Sequence, residues 1–395
     1  MTKSNSSNSK KIIITGGVIF FALIVLGFSA SSKETYIAQK EIIATSTIPV
    51  FVATHVETPN PVKGIYMTAC VAGTPSWRNS LMKMIETTEL NSVVIDIKDY
   101  SGTISIVDSN IDSNTTSGCK VKDMRDFIAE LHQKNIYTIG RITVFQDPHY
   151  TKLHPELAVK KKSDGGVWKD HKGLSFIDVG AKPYWDYILK IATTSYALGF
   201  DELNFDYIRY PSDGDMKDTN YTWTIATSTK ADMLENFFSY LHYNLKDTGV
   251  KTSADLFGMT TTANDDLGIG QILERTLPYF DFVDPMVYPS HYPPTWNGFK
   301  NPAEHPYEVI KLSMQGGVDK EQALNVSLGV ATSTPSKLRP WLQDFDMGAT
   351  YNMKEVQAQI KATYDVGLIS WLVWDAGNKY TPNAYLSNSA TSSTK

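Results

Sequence analysis

From Gly64 to Trp374 the chain alternates, eight times, a short apolar run with a stretch of helical spacing. The apolar runs are Gly64–Cys70, Ser92–Lys98, Tyr137–Ile142, Glu202–Tyr207, Lys251–Phe257, Phe282–Tyr288, Leu338–Phe345 and Leu368–Trp374. Each has strand length and sits between turn signals. Between them apolar residues recur at helical intervals. The sets are Trp77, Leu81, Ile85 and Thr88; Met124, Phe127, Ile128 and Leu131; Trp185, Ile188, Leu189 and Ala192; and Leu234, Phe237, Phe238, Leu241 and Leu245. A strand–helix unit repeated in this way predicts an α/β fold, a (β/α)8 TIM barrel over residues 63–385. The rival is a doubly wound open sheet. It calls for a glycine-rich phosphate turn after the first strand, and Ala72-Gly73-Thr74-Pro75 is not one.

Residues 199–211 are the centre of the pattern. Leu203, Phe205 and Tyr207 alternate with Asn204 and Asp206, so one strand face is apolar and the other carries an amide and a carboxylate. Pro211 stops the strand. Polar residues at the carboxyl ends of barrel strands converge on one cleft. Here nearly every strand end carries such residues. They are Asp96, Lys98 and Asp99; Arg141; Asn204, Asp206 and Arg209; Asp255; Asp284 and Tyr288; Arg339, Trp341, Gln343 and Asp344; and Trp374 and Asp375. A purely structural barrel has no need of so many, because buried charge is costly unless paired.

Glycosidic cleavage needs two carboxyls across a sugar, one protonated and one ionised. Asp206 and Asp255, on adjacent strands, are the expected catalytic pair. Asp206, with Arg209 close in sequence and Arg141 on the preceding strand, is expected to be the ionised member. Asp255, among Ala254, Leu256 and Phe257, suits the proton donor. Asp99, Asp284 and Asp375 compete for that second role. Asp96, Lys98, Asp99, Arg141, Asn204, Arg209, Asp284, Tyr288, Gln343, Trp374 and Asp375 are expected to bind substrate. The plainer alternative makes Asp206 a structural acid paired with Arg209.

Other chemistries find no motif. There is no H-E-x-x-H, no G-x-S-x-G elbow and no P-loop, so neither a metal nor a cofactor is expected. A net charge of -5 argues against nucleic acid as a partner. The 8 Trp and 21 Tyr offer stacking surfaces for sugars, although such rings also fill cores. Cys70 and Cys119 form one bridge if the protein is exported, or stay as reduced thiols.

The amino terminus points to export. Lys3, Lys10 and Lys11 precede an apolar run from Ile12 to Phe28, which is expected to be an uncleaved membrane anchor in segment 1–28. The barrel would then lie outside the cytoplasm, or be secreted if the segment is removed. Residues 29–62 are a Ser/Thr/Pro-rich linker, and residues 386–395 are expected to be a disordered tail. The long excursion from Gln146 to Lys182 is expected to form a hairpin-like flap beside the cleft.

From Lys63 to Tyr385 the chain resembles a bacterial family of glycoside hydrolases of unknown specificity, related to amylase- and chitinase-like barrels. The resemblance rests on Lys63-Gly64-Ile65-Tyr66, Val94-Ile95-Asp96-Ile97-Lys98-Asp99, Ile139-Gly140-Arg141-Ile142, residues 205–211, residues 338–345 and residues 371–378. It implies a barrel and an activity on glycans. Residues 201–208 also look like the chitinase D-x-x-D-x-D-x-E pattern. Asn204 replaces its second Asp and Ile208 its acidic Glu, so a chitinase mechanism does not follow. Two functions fit the sequence. One is an exported, tethered hydrolase of a carbohydrate polymer. The other is an inactive carbohydrate-binding or scaffold barrel, whose acids would be tied up in ion pairs.

Overall fold

A computed structural model of the chain describes residues 51–387, except 109–110, 112–117, 225 and 332–334. The run from Ile12 to Phe28, the first part of the linker and the tail from 388 lie outside the described residues. Among the described residues no helix is long and apolar enough to cross a membrane.

Eight parallel strands close into one barrel. They are β1 Lys63–Met67, β2 Ser92–Lys98, β3 Tyr137–Thr143, β4 Glu202–Asp206, β5 Lys251–Phe257, β6 Phe282–Met286, β7 Trp341–Gln343 and β8 Trp371–Trp374. Each strand lies beside the next in sequence, and β8 pairs with β1 to close the ring. Closure excludes the open sheet. Helices α1 Pro75–Thr87, α2 Met124–Gln133, α3 Lys182–Leu198, α4 Lys230–Leu245, α5 Leu273–Thr276, α6 Pro306–Leu328 and α7 Met353–Asp365 connect successive strands. The helical spacing in the sequence marks the buried faces of α2, α3 and α4. In α1 the outcome differs. Trp77 is 41% exposed, and Arg78 takes the inward place, its guanidinium over the Phe127 ring at 4.4 Å.

Alternation along the strands separates two interiors. Val93, Ile95, Leu203, Phe205, Ala254 and Leu256 pack outward in the main core beneath the helices. Tyr66, Val94, Tyr137, Ile139, Trp341 and Leu372 form a smaller cluster inside the barrel. The polar residues alternate with the first set, so they also face inward. Register brings them level: Arg141 pairs with Asp96 on one side and Asn204 on the other, and Asp255 pairs with Asp284.

Five strands, β1, β4, β6, β7 and β8, are shorter than the sequence implies, and two of them show why. In β7 the expected run Leu338–Phe345 yields a regular strand only at Trp341–Gln343. Pro340 has no N–H to give, and contact with β6 reduces to Met286–Trp341 and a bridge from Val283 to Leu338. Strand β4 begins after Gly199, whose φ of 121° ends α3, and stops at Asp206 because Tyr207 turns left-handed at φ 51°.

Residues 51–62 run extended and dock on the barrel. Val56 donates its N–H to Asp201 Oδ1 at 2.7 Å, and Val62 is buried against Tyr66 and Leu372. Cys70 and Cys119 form a disulfide with Cα atoms 4.9 Å apart. The excursion after β3 folds back on itself through bridges Lys160–Val167 and Lys169–Ser175. These bridges give the flap its hairpin form, and its strand Lys160–Lys161 also pairs antiparallel with Thr219–Asn220 in the loop after β4.

Candidate active site

A cleft of about 360 Å³ opens beside the carboxyl ends of the strands. Its walls include Arg141, Asp206, Tyr207, Arg209, Asp255, Tyr288 and Trp374. Asp206 and Asp255 thus meet in one cavity although their strands are 49 residues apart at these positions.

Two buried arginines organise the acids. Arg141 donates from Nη1 to Asp96 Oδ1 at 2.6 Å, and from Nε to Asp206 Oδ2 at 3.1 Å. Its Nη2 also pairs with Asp206 Oδ2. Burial alone would lower the Arg141 pKa, but Asp206 and Asp96 outweigh it and raise it well above the usual value. Burial pushes the Asp96 carboxyl up, against the pull of Arg141. Tyr66 donates its hydroxyl to Asp96 Oδ2 at 2.5 Å and stacks on Trp374 with centroids 3.8 Å apart. Trp374 in turn lies 5.1 Å from the Arg141 guanidinium.

Deeper in the barrel, Arg339 plays the same part. It donates to Asp284 from Nε at 3.0 Å and from Nη2 at 2.8 Å, and to Glu202 Oε1 at 2.5 Å. One guanidinium facing two carboxylates leaves the group a unit negative. A proton on one acid removes that excess. Burial, aided by Glu202 and opposed by Arg339, pushes Asp284 up to about 6.

Asn204 joins the Arg339 group to Asp255. Its Nδ2 reaches Asp255 Oδ1 at 2.9 Å, Ser253 Oγ at 3.1 Å and Asp284 Oδ2 at 3.3 Å. Its Oδ1 is buried without a hydrogen-bond partner. Trp341 Nε1 also donates to Asp255 Oδ1, at 2.8 Å. Among the described residues no cation lies within ion-pair distance of Asp255. Burial, then the negative charges of Asp206 and Asp284, push its carboxyl well above the ordinary range. An acid of this kind holds its proton until a base takes it.

The residues expected to bind substrate divide clearly. Arg141, Arg209, Tyr288 and Trp374 line the cleft, and Asn204, Asp96 and Asp284 stand behind it. Lys98 does not reach it. It is fully buried, donates to the Thr143 carbonyl at 2.7 Å and pairs with Asp147 at 3.0 Å. Asp99 shapes its own turn by accepting from the Ser101 N–H at 2.8 Å. Gln343 ties loop to strand, accepting from the Ser290 N–H at 3.1 Å and donating to the Phe345 carbonyl at 2.9 Å. Asp375 accepts from the Gly377 N–H at 2.5 Å. The plainer reading of Asp206 fails in its partner: the cation on Asp206 is Arg141, while Arg209 donates to the Tyr210 carbonyl at 3.0 Å.

Sequence reasoning missed Tyr66, Tyr207 and His291. Tyr66 lies in an apolar strand, where a ring passes for core. The strand alternation puts Tyr207 on the apolar face, but its left-handed backbone turns it to the cleft wall. His291 sits in a short turn after β6 and carries no local signal.

A closed (β/α)8 barrel with a carboxyl-bearing cleft at its strand ends places the protein among TIM-barrel domains of the glycoside hydrolase type. The chain belongs to the family described as "putative glycosyl hydrolase domain", which it matches over residues 64–380. This agrees with the resemblance read from the sequence. Among solved structures it is similar to the PgaB (BpsB) glycoside hydrolase domain from Bordetella bronchiseptica, at 13% identity and a TM-score of 0.57, covering 82% of this chain and 96% of that one. It is similar to alpha-L-fucosidase isoenzyme 2 from Paenibacillus thiaminolyticus, at 10% identity and a TM-score of 0.55, covering 80% of this chain and 46% of that one. A hypothetical protein from Ruminiclostridium thermocellum is 30% identical over 52% of this chain and 98% of its own, with a TM-score of 0.44. The first two likenesses are of fold alone. No curated protein matches the chain.

Proposed function

We propose that this protein is an exported, membrane-tethered glycoside hydrolase acting on a polysaccharide or cell-envelope glycan, with Asp255 as proton donor and Asp206 as its carboxylate partner. The observation that carries this reading is the asymmetry of the two acids in one cleft. Asp206 is held by Arg141, whereas Asp255 has no cation within ion-pair distance among the described residues and is pushed up by burial and by neighbouring acids. A carboxyl pushed up by burial, beside one paired with an arginine, suits the division into proton donor and charge-stabilising partner.

In the proposed reaction Asp255 gives its proton to the glycosidic oxygen as the bond from that oxygen to the anomeric carbon breaks. Asp206 stabilises the positive charge that develops on the sugar. Water supplies the hydroxyl for the anomeric carbon, and its remaining proton restores the acid. Trp374 and Tyr288 offer ring surface to the sugar. The Cys70–Cys119 disulfide supports export, since such bonds persist in oxidising compartments. The basic flank and apolar run Ile12–Phe28 support the tether.

The alternative, an inactive carbohydrate-binding barrel, draws on the Arg141–Asp206 pair, which ties up one acid. It gives no account of a second acid kept without a cation. The test is release of new reducing ends from a panel of bacterial envelope glycans by the full chain and by Asp255→Asn. The hydrolase reading predicts release by the first and a loss of about 10²-fold or more in the second. Release by neither, with binding retained, supports the alternative.

A further inference from the structure

We infer that Arg209 is a specificity residue of the cleft, and that it selects a glycan carrying an oxyanion substituent, a carboxylate or a sulfate or phosphate ester. The inference rests on reading the cleft as a glycan site.

Arg209 lies in the cleft wall, yet only 8% of it is exposed. A buried guanidinium normally has a carboxylate against it. Arg141 and Arg339 each have two. Arg209 has none within ion-pair distance among the described residues. Its one hydrogen bond runs from Nη1 to the Tyr210 carbonyl at 3.0 Å. Its remaining N–H donors are not buried and unsatisfied, so they reach the open side of the cleft.

Rings hold it in place. The guanidinium lies 4.9 Å from the Tyr207 ring, 4.9 Å from Phe257 and 5.6 Å from Phe176. These come from the end of β4, the end of β5 and the flap. The rings fix the group and partly offset its desolvation, but a ring face cannot accept the in-plane N–H bonds. Burial draws the Arg209 pKa down from its usual value, with partial relief from Tyr207 and from the more distant carboxylates of Asp206, Asp170 and Asp213. A fixed, planar fork with donors to spare and, among the described residues, no carboxylate in contact fits an oxyanion. Asp206 does not fill this place, because its Oδ2 is taken by Arg141 and its Oδ1 accepts the Tyr207 N–H at 2.6 Å.

The test is binding of the full chain to matched oligomers. α-1,4- and β-1,4-linked glucose and galactose oligomers are each presented in three forms: neutral, oxidised to the C6 carboxylate, and sulfated at C6. The expected result is that a charged form of at least one backbone binds about tenfold more tightly than its neutral form. That preference should vanish in Arg209→Met and fall in part in Arg209→Lys, both checked for an intact melting transition. The carboxylate and sulfate arms tell the two oxyanions apart. Equal binding of charged and neutral forms on every backbone overturns the inference, as it would if Arg209 only balanced Asp206 at a distance. So does a preference that survives in Arg209→Met. The wild-type comparison decides even where a variant does not fold. A charge preference without any hydrolysis would count against the hydrolase and leave the role of Arg209 standing. Hydrolysis of neutral glycans without a charge preference would do the reverse.

Discussion

Trp341 Nε1 donates to Asp255 Oδ1 at 2.8 Å, and this bond decides which oxygen of Asp255 carries a proton. Asn204 Nδ2 meets the same oxygen at 2.9 Å. With two donors on Oδ1, the proton of the neutral acid belongs on Oδ2. The strand-seven indole therefore orients the acid of strand five from two strands along the ring.

One consequence is a shift in pH profile. Asp255 works as an acid only while protonated, so activity falls as pH rises through its pKa, which lies well above the carboxylate norm. N–H donors favour the ionised form. Trp341→Phe removes one of them, so the alkaline limb of kcat/KM should move to higher pH. A limb that stays put or moves down contradicts the assignment.

Asp284 makes stability depend on pH. Its folded value is about 6 against an ordinary 3.8, so the folded state binds the proton more tightly. That contribution is full below the ordinary value and is lost as pH rises to about 6. The loss amounts to about 3 kcal/mol. Urea unfolding across this window should show the decline in the wild type and a flatter profile in Asp284→Asn. Equal slopes would mean that Asp284 does not hold the proton.

The disulfide closes a loop of 49 residues. On the chain-entropy account its removal costs about 4 kcal/mol. The double variant Cys70→Ser, Cys119→Ser should unfold at lower denaturant, and the wild type should show no thiol reactive to Ellman-type reagents until reduced. Free thiols in the unreduced wild type would contradict the bond.

The tether predicts a fractionation result. The full chain should sediment with membranes, and a chain lacking residues 1–30 should stay in the supernatant. Equal partition of the two would reject the anchor.

The architecture was legible because it rests on local periodicity. The strands Ser92–Lys98 and Lys251–Phe257 have the ends the sequence implies, and the inward alternation of Asn204 and Asp206 follows from the strand period. The partners of the acids were not legible. Arg209 lies three residues from Asp206 along the chain, but the left-handed turn at Tyr207 sends it toward Phe257 and the flap. Arg141 lies 65 residues away, and only the register of β3 with β4 brings it to Asp206. Likewise Lys98 belongs to a strand whose register shifts after Asp96, and it leaves the inward row for Asp147.

The central claim is that Asp206 is a working carboxylate of the cleft and not only the partner of Arg141. Turnover and melting temperature of Asp206→Asn, measured together on a glycan the wild type cleaves, test it most directly. The variant keeps the side chain's size and removes its charge. The hydrolase account predicts a fall in turnover of about 10²-fold or more, whatever the melting temperature does. Turnover close to wild type with a lowered melting temperature would contradict it, leaving Asp206 a structural partner for Arg141.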